Sequence, residues 1–238
     1  MHVIAVVNQK GGCGKTTTTI NMGAVLGLAG KRVLLLDLDP QATLTKNLGV
    51  EDKWNVYDRG PIGVSTNLPG VDLVPGGPEL VKPEMALTLR EDFGALRPLI
   101  SEIRGYDYVL IDCPPNLYGS TVNAIVAADQ MLCPFPLSPS VLHSLRDTLD
   151  LLESLRNRGL SCPDRVSGVV TIYRKQPTAE GMSRAADRLF PHVLDARIRM
   201  SNYYARAEAK ATAAVLLAGP RSAPLVDHRN VIQEMRLV

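Results

Sequence analysis

Two lysines, Lys10 and Lys15, stand five residues apart in the run NQKGGCGKTTTT (8–19), with Gly11, Gly12 and Gly14 between them. A loop with so little side chain leaves its backbone N–H groups free to face an anion. A helix that starts at once behind it adds a partial positive charge. The apolar run VIAVVN (3–8) precedes the loop and a helical pattern follows it, which is the setting of a phosphate loop. In this reading Gly11, Gly12, Cys13, Gly14, Lys15, Thr16 and Thr17 surround a polyphosphate. Lys15 reaches the β- and γ-phosphates, and the Thr16 hydroxyl ligates Mg²⁺. Asp112 ends the apolar stretch YVLID and is placed to hold the same metal, directly or through water. The loop departs from the usual pattern at its start. Gln9 stands where a glycine is usual, and Lys10 is an extra cation beside the phosphate site.

The elements that must position these groups follow from periodicity. Short β-branched or leucine-rich runs at 3–8, 32–39, 106–115, 130–137 and 165–173 read as buried parallel strands, with a shorter one at 71–77. Helical patterns lie at 15–29, 91–104, 120–129, 140–157, 178–190, 201–216 and 225–236, and 50–70 reads as irregular. Strands alternating with helices predict an α/β fold: a doubly wound, mostly parallel sheet with helices on both faces. Ligands of such sheets bind beyond the carboxyl ends of the strands, where Asp37, Asp39 and Asp112 fall. No linker or repeat divides the 238 residues, so one P-loop domain over 1–238 is expected, with no helix-turn-helix domain ahead of the loop.

Composition narrows the function. No apolar run is long enough to span a bilayer, and no basic flank of a signal peptide follows Met1, so a cytoplasmic protein is expected. Cys13, Cys113, Cys133 and Cys162 show no metal or disulfide spacing and read as reduced thiols. Net charge is only +2, yet residues 156–221 carry twelve Lys and Arg against five Asp and Glu. That segment is either a solvated face or a surface for a polyanion.

Four stretches, QKGGCGKTT, LLDLDPQATLT, YDYVLIDCPPNL and VNAIVAADQMLCP, resemble in order the ParA/Soj partition ATPases of the deviant Walker A class, within the ParA/MinD superfamily. The resemblance runs from residue 3 to about 173 and is looser to about 216. It implies an ATPase that uses ATP and Mg²⁺. It implies that Lys10 reaches across a homodimer to the partner's ATP while Lys15 serves its own. Asp39, Pro40 and Gln41 resemble the first switch, where Asp39 would place the attacking water. A carboxylate is a weak base for water, so placement and charge must supply most of the rate. Pro114 and Pro115 resemble the second switch, which senses loss of the γ-phosphate. Asp37 reads as a structural acid, and Asn123 as a residue of the family's NA helix with a hydrogen bond in the fold.

Members of the family bind double-stranded DNA non-specifically as ATP dimers, sit on the nucleoid, and are discharged by a ParB-like centromere-binding partner. Arg199, Tyr203, Arg206 and Lys210 fall at spacings of four, three and four, which would share one helical face. Arg184 and Arg188 fall similarly on the preceding helix. Such cations could hold phosphates without reading sequence. The plain alternative pairs them with Asp187, Asp195 and Glu208. Three other functions stay open: a MinD-like positioning ATPase at a membrane or another cargo, an ATP-dependent biosynthetic ligase, and a nucleotide-gated scaffold. A membrane role fits less well, because Val231, Ile232, Met235 and Val238 read as a face packed on the domain. A nitrogenase-type reductase would need paired cluster cysteines.

Overall fold

The runs HVIAV, VLLLD and YVLID lie side by side in the middle of one sheet, and their shared register fixes where chemistry can occur. The computed structural model describes residues 1–52, 54–60, 63–174 and 179–238. Strand β1 (His2–Val6) leads through the glycine loop into helix α1 (Lys15–Leu28), followed by β2 (Val33–Asp37), α2 (Thr43–Asn47), α3 (Val56–Arg59), β3 (Val64–Ser65) and β4 (Val71–Val74). Next come α4 (Val81–Arg90), α5 (Leu96–Ser101), β5 (Tyr108–Asp112), α6 (Gly119–Ala127) and β6 (Gln130–Pro136). The chain closes with α7 (Pro139–Asn157), β7 (Arg165–Tyr173), α8 (Ala179–Leu189), β8 (Val193–Arg199), α9 (Asn202–Glu208), α10 (Ala214–Leu217) and α11 (Ala223–Glu234).

The eight strands run in the order β3-β4-β2-β5-β1-β6-β7-β8, and all pairs are parallel except β3 with β4. This is the doubly wound sheet read from the alternation of strands and helices. Parallel strands need covering on both faces, and two aliphatic cores do so. One face packs Val122 and Ile125 of α6, Leu145 and Leu152 of α7 and Ala186 of α8. The other packs Ile20 and Leu26 of α1 with Leu225, Val231 and Ile232 of α11. Val231, Ile232 and Met235 are therefore buried against the domain, as the sequence pattern implied, whereas Val238, beyond the end of α11, is exposed. Among the described residues no helix is long and apolar enough to cross a membrane.

The structure corrects three local expectations. The helix expected over 91–104 shrinks to α5 behind a turn at 91–95, and α4 ahead of it was not expected at all. Glu91 adopts a left-handed backbone (φ 50°) and ends α4 there. Helix α4 escapes the pattern because the apolar Val81, Met85 and Leu89 are exposed along with its polar residues, and only Leu87 is buried. The helix expected over 201–216 divides into α9 and α10. Ala211 is left-handed (φ 49°), and the Thr212 N–H turns back to the carbonyl of Ala207. Residues 193–199, to which the sequence pattern assigned no element, form edge strand β8. Its alternation of buried Leu194, Ala196 and Ile198 with exposed Asp195 and Arg199 is an edge pattern rather than an apolar run. The stretch 50–70, read as irregular, contains the short α3 and β3. Of the helix expected over 178–190, residue 178 lies outside the described residues.

Candidate nucleotide site

Register brings the acids to the loop. Val6 of β1 and Asp37 of β2 both pair with Asp112 of β5, so three strands end level with one another. The chain beyond Val6 turns through the glycines, and Gly14 (φ 87°) caps α1 in the left-handed region. A side chain at Gly14 would be strained there, and it would touch Thr171 of β7. Gly11 and Gly12 are exposed, and among the described residues nothing lies within 4 Å of where a Cβ would stand on either. That open cradle admits a ligand up to the backbone.

Two side chains hold the loop, and neither stands out in the linear motif. Asn8 donates to the carbonyl of Pro134 at 2.8 Å and accepts from the Lys10 N–H at 2.9 Å. Thr171 donates to the Cys13 carbonyl at 2.7 Å and is buried. Both bonds tie the loop to neighbouring strands, β6 and β7, which a linear motif does not reveal. The Cys13, Cys113 and Cys133 thiols are buried, and burial pushes each upward from the ordinary thiol range.

The two lysines part company. Lys15 is only 7% exposed, and its ammonium folds over the loop toward the Lys10 carbonyl at 3.3 Å. The Lys10 ammonium leaves in another direction, to the hydroxyls of Ser140 and, at 3.5 Å, Ser138 at the start of α7.

Thr16 donates to the Asp112 carboxylate at 2.7 Å. Asp112 is buried, and burial first, then the neighbouring Asp37, pushes it up to about 8. Burial also raises Asp37 to about 6, against three hydrogen bonds: from the Asp39 N–H, the Thr45 N–H and the Thr45 hydroxyl. Asp37 is thus the structural acid that the sequence suggested. Two carboxylates in a desolvated corner favour a cation. The accessible donors, an aliphatic hydroxyl and a carboxylate oxygen, suit a hard divalent ion such as Mg²⁺.

Asp39 lies half-buried just past β2, where its carboxylate accepts the Gln41 N–H at 2.8 Å in a turn that contains Pro40. Pro114 is buried and Pro115 exposed in the loop after Asp112. Asn116 in that loop donates to Glu84 of α4 at 3.1 Å, and the Gly119 N–H donates to Thr88 at 2.9 Å. Asn123 spans Asp92, Gly119 and Leu96 by hydrogen bonds, a role within the fold. Lys10, Lys15, Thr16, Asp39 and Asp112 therefore all gather at one end of the sheet, with the 39–41 and 113–119 loops beside them.

The basic residues do not form the single face expected. Arg199 ends β8 rather than sitting on a helix with Arg206. Its guanidinium is held by the buried Asp227 at 2.6 Å, and its N–H donates to the same carboxylate. Lys210 lies beyond the end of α9. Arg206 is exposed and stacks on the Tyr203 ring at 5.1 Å. Arg184 and Arg188 are exposed on α8, which packs on the other face of the sheet from α10 and α11. The cations thus flank the β8 edge as two groups. Arg188 also lines a cavity of about 290 Å³ with His143 and Arg146 of α7, both unremarked in the sequence because α7 reads as a leucine-striped core helix.

Comparison with known proteins places this geometry. Residues 1–161 match the family model described as an AAA domain. The chromosome partitioning protein ParA of Caulobacter vibrioides is 36% identical over 223 residues, covering 84% of this chain and 83% of that protein. A complex of a Cyanothece McdA variant with ATP superposes with a TM-score of 0.85 over 100% of this chain and 97% of its own. At 22% identity that likeness concerns the fold alone. Cobyrinic acid a,c-diamide synthase of Mycobacterium smegmatis, with a bound ATP analogue and magnesium, superposes with a TM-score of 0.79 at 26% identity, over 99% of this chain and 94% of its own. Loop, acids, sheet order and likeness agree: the chain belongs to the ParA/MinD-type P-loop ATPases.

Proposed function

We propose that this chain, working over 1–238 as a single unit, is a DNA-partition ATPase that switches between a monomer and an ATP-bound homodimer. Gly11 to Thr17 wrap the triphosphate, Lys15 neutralises its β- and γ-phosphates, and Thr16 with Asp112 hold Mg²⁺. The bound Mg²⁺ offsets charge on the phosphate oxygens. Lys10 serves the nucleotide of the second copy. Asp39 positions water at the γ-phosphate, with Pro40 and Gln41 shaping its loop. Pro114 and Pro115 carry the loop that responds when that phosphate leaves. Hydrolysis is slow alone and is stimulated by a ParB-like centromere-binding partner. The ATP dimer binds double-stranded DNA non-specifically on the nucleoid through Arg184, Arg188, Arg206 and Lys210. The cation of Arg199 is already engaged by Asp227 and contributes less.

One observation carries this reading. Lys15, Thr16 and Asp112 supply a cation and a metal corner for one nucleotide, while the Lys10 ammonium points out of that corner. A second lysine left over from a furnished site has a use at another copy's site. The 36% identity to a ParA over most of both chains supports partition as the task.

The test is DNA binding against salt, with ATP, ADP or no nucleotide. The reading predicts binding in the ATP state alone, with affinity falling steeply as salt rises. Equal binding in all three states contradicts it. A carboxylate-activating ligase is the second reading, favoured by likeness to the diamide synthase. It predicts ATP turnover that needs an added carboxylic acid and ignores DNA.

A further inference from the structure

Helix α4 carries an apolar stripe on its outside. Val81, Met85 and Leu89 are 43%, 59% and 80% exposed, and their spacing of four puts them on one face. Leu87 points the other way and is buried. Tyr118, 60% exposed, stands in the neighbouring loop. Single exposed apolar residues are ordinary, but three on one helical face, with Tyr118 in the loop that α4 rests on, mark a surface that something covers.

The stripe is firmly moored beside the nucleotide site. Glu84 of α4 accepts from Asn116, and Thr88 accepts from the Gly119 N–H. Gly119 has no room for a side chain, since a Cβ there would lie 2.8 Å from Leu87 Cβ and from the Thr88 nitrogen. Helix α4 therefore rests directly on the loop that follows Asp112. It lies at the same end of the sheet as Lys10, Lys15 and Asp39.

This position argues for one occupant. A second copy that brings its Lys10 to this nucleotide must sit over that end of the sheet, and its footprint then reaches α4. The loops around the phosphate site expose Gly11, Gly12, Gln41 and Pro115, which offer little apolar area. The stripe offers what they lack. We infer that Val81, Met85 and Leu89, with Tyr118, form the apolar part of the interface with a second copy of this chain. The inference rests on the ATP-dimer reading above.

The experiment is sedimentation of the full chain with Mg²⁺ and a slowly hydrolysed ATP analogue, beside nucleotide uptake by equilibrium dialysis. Met85→Glu and Leu89→Glu are compared with Leu89→Ser, which removes apolar area without adding charge. Leu28→Glu, at an exposed apolar site on α1, serves as control. We expect nucleotide uptake to stay at the parent level, while dimerisation weakens about tenfold or more in the α4 variants and is unchanged in the control. A dimerising parent matched by all three α4 variants overturns the inference and leaves the ATP-dimer reading intact. A parent that stays monomeric with nucleotide contradicts the ATP-dimer reading itself, and the stripe then loses this occupant.

Discussion

The ammonium group of Lys10 donates to the hydroxyl of Ser140, 130 residues further along the chain. Ser138 stands 3.5 Å from the same nitrogen, so two serines at the start of α7 hold this lysine within its own subunit. A lysine held at home has to be released before it can serve a second copy. The double variant Ser138→Ala, Ser140→Ala should therefore favour the ATP dimer. The lost hydrogen bonds correspond to about 1 kcal/mol per subunit, and since both subunits release a lysine the dimerisation constant should rise roughly thirtyfold. Sedimentation with ATP checks this, and unchanged or weaker dimerisation speaks against the holding role.

The metal corner makes a separate prediction. Asp112→Asn and Thr16→Ala should each lower nucleotide affinity in Mg²⁺ by about tenfold or more. In excess EDTA the variants and the parent should converge, because the lost donors matter only to the metal. Titration calorimetry in the two buffers reads both arms. A variant equally weakened with and without Mg²⁺ would place the loss in phosphate contacts instead. Without metal, Asp112→Asn should not lower the melting temperature, since a neutral amide replaces a buried carboxyl whose charged form burial and Asp37 disfavour.

Much of this corner was legible in the sequence. Glycines, Lys15, Thr16 and Asp112 are local signals, because loop chemistry and strand ends are written in neighbouring residues. Thr171 and Asn8 were not legible. Their work depends on which strands lie beside the loop, and strand order is a long-range property. Strand β8 was hidden because an edge strand carries Asp195, Arg197 and Arg199 on its open side. Helix α4 was hidden for the opposite reason, its apolar stripe facing outward. The basic face failed because a spacing of three and four has meaning only within an unbroken helix, and α9 spans only Asn202–Glu208, which leaves Arg199 in β8 and Lys210 beyond the helix end.

The divided basic groups predict unequal effects on DNA. Arg206→Ala and Arg188→Ala should each weaken binding of the ATP state uniformly across sequences and flatten the salt dependence by about one unit of slope. Arg199→Ala should act on stability instead, costing about 1–3 kcal/mol by leaving the buried Asp227 without its partner. Fluorescence anisotropy against salt, beside chemical denaturation, separates the two. An Arg199→Ala protein of full stability and lost DNA affinity would reverse the assignment.

His228 gives the fold a pH dependence away from the nucleotide. It is buried in α11, packs edge-on against Tyr204, and bonds through Nδ1 to the Pro224 carbonyl, while Nε2 has no partner among the described residues. Burial lowers it from 6.5 to about 4. The folded state thus keeps the ring neutral where the unfolded chain takes up a proton. Its contribution is intact above about pH 6.5 and is lost progressively as pH falls toward 4, on the order of 3 kcal/mol in all. His228→Gln should flatten the stability profile in that window. Denaturation curves at several pH values check it, and an equal slope in parent and variant would assign the acid sensitivity elsewhere.

Cross-subunit use of Lys10 is the claim on which the account turns. The direct measurement is the mass of Lys10→Ala and of the parent in solution with Mg²⁺-ATP, beside their ATP affinities. The account predicts that the parent forms dimers, while Lys10→Ala binds ATP about as well and remains a monomer. A Lys10→Ala protein that dimerises as the parent does would contradict it.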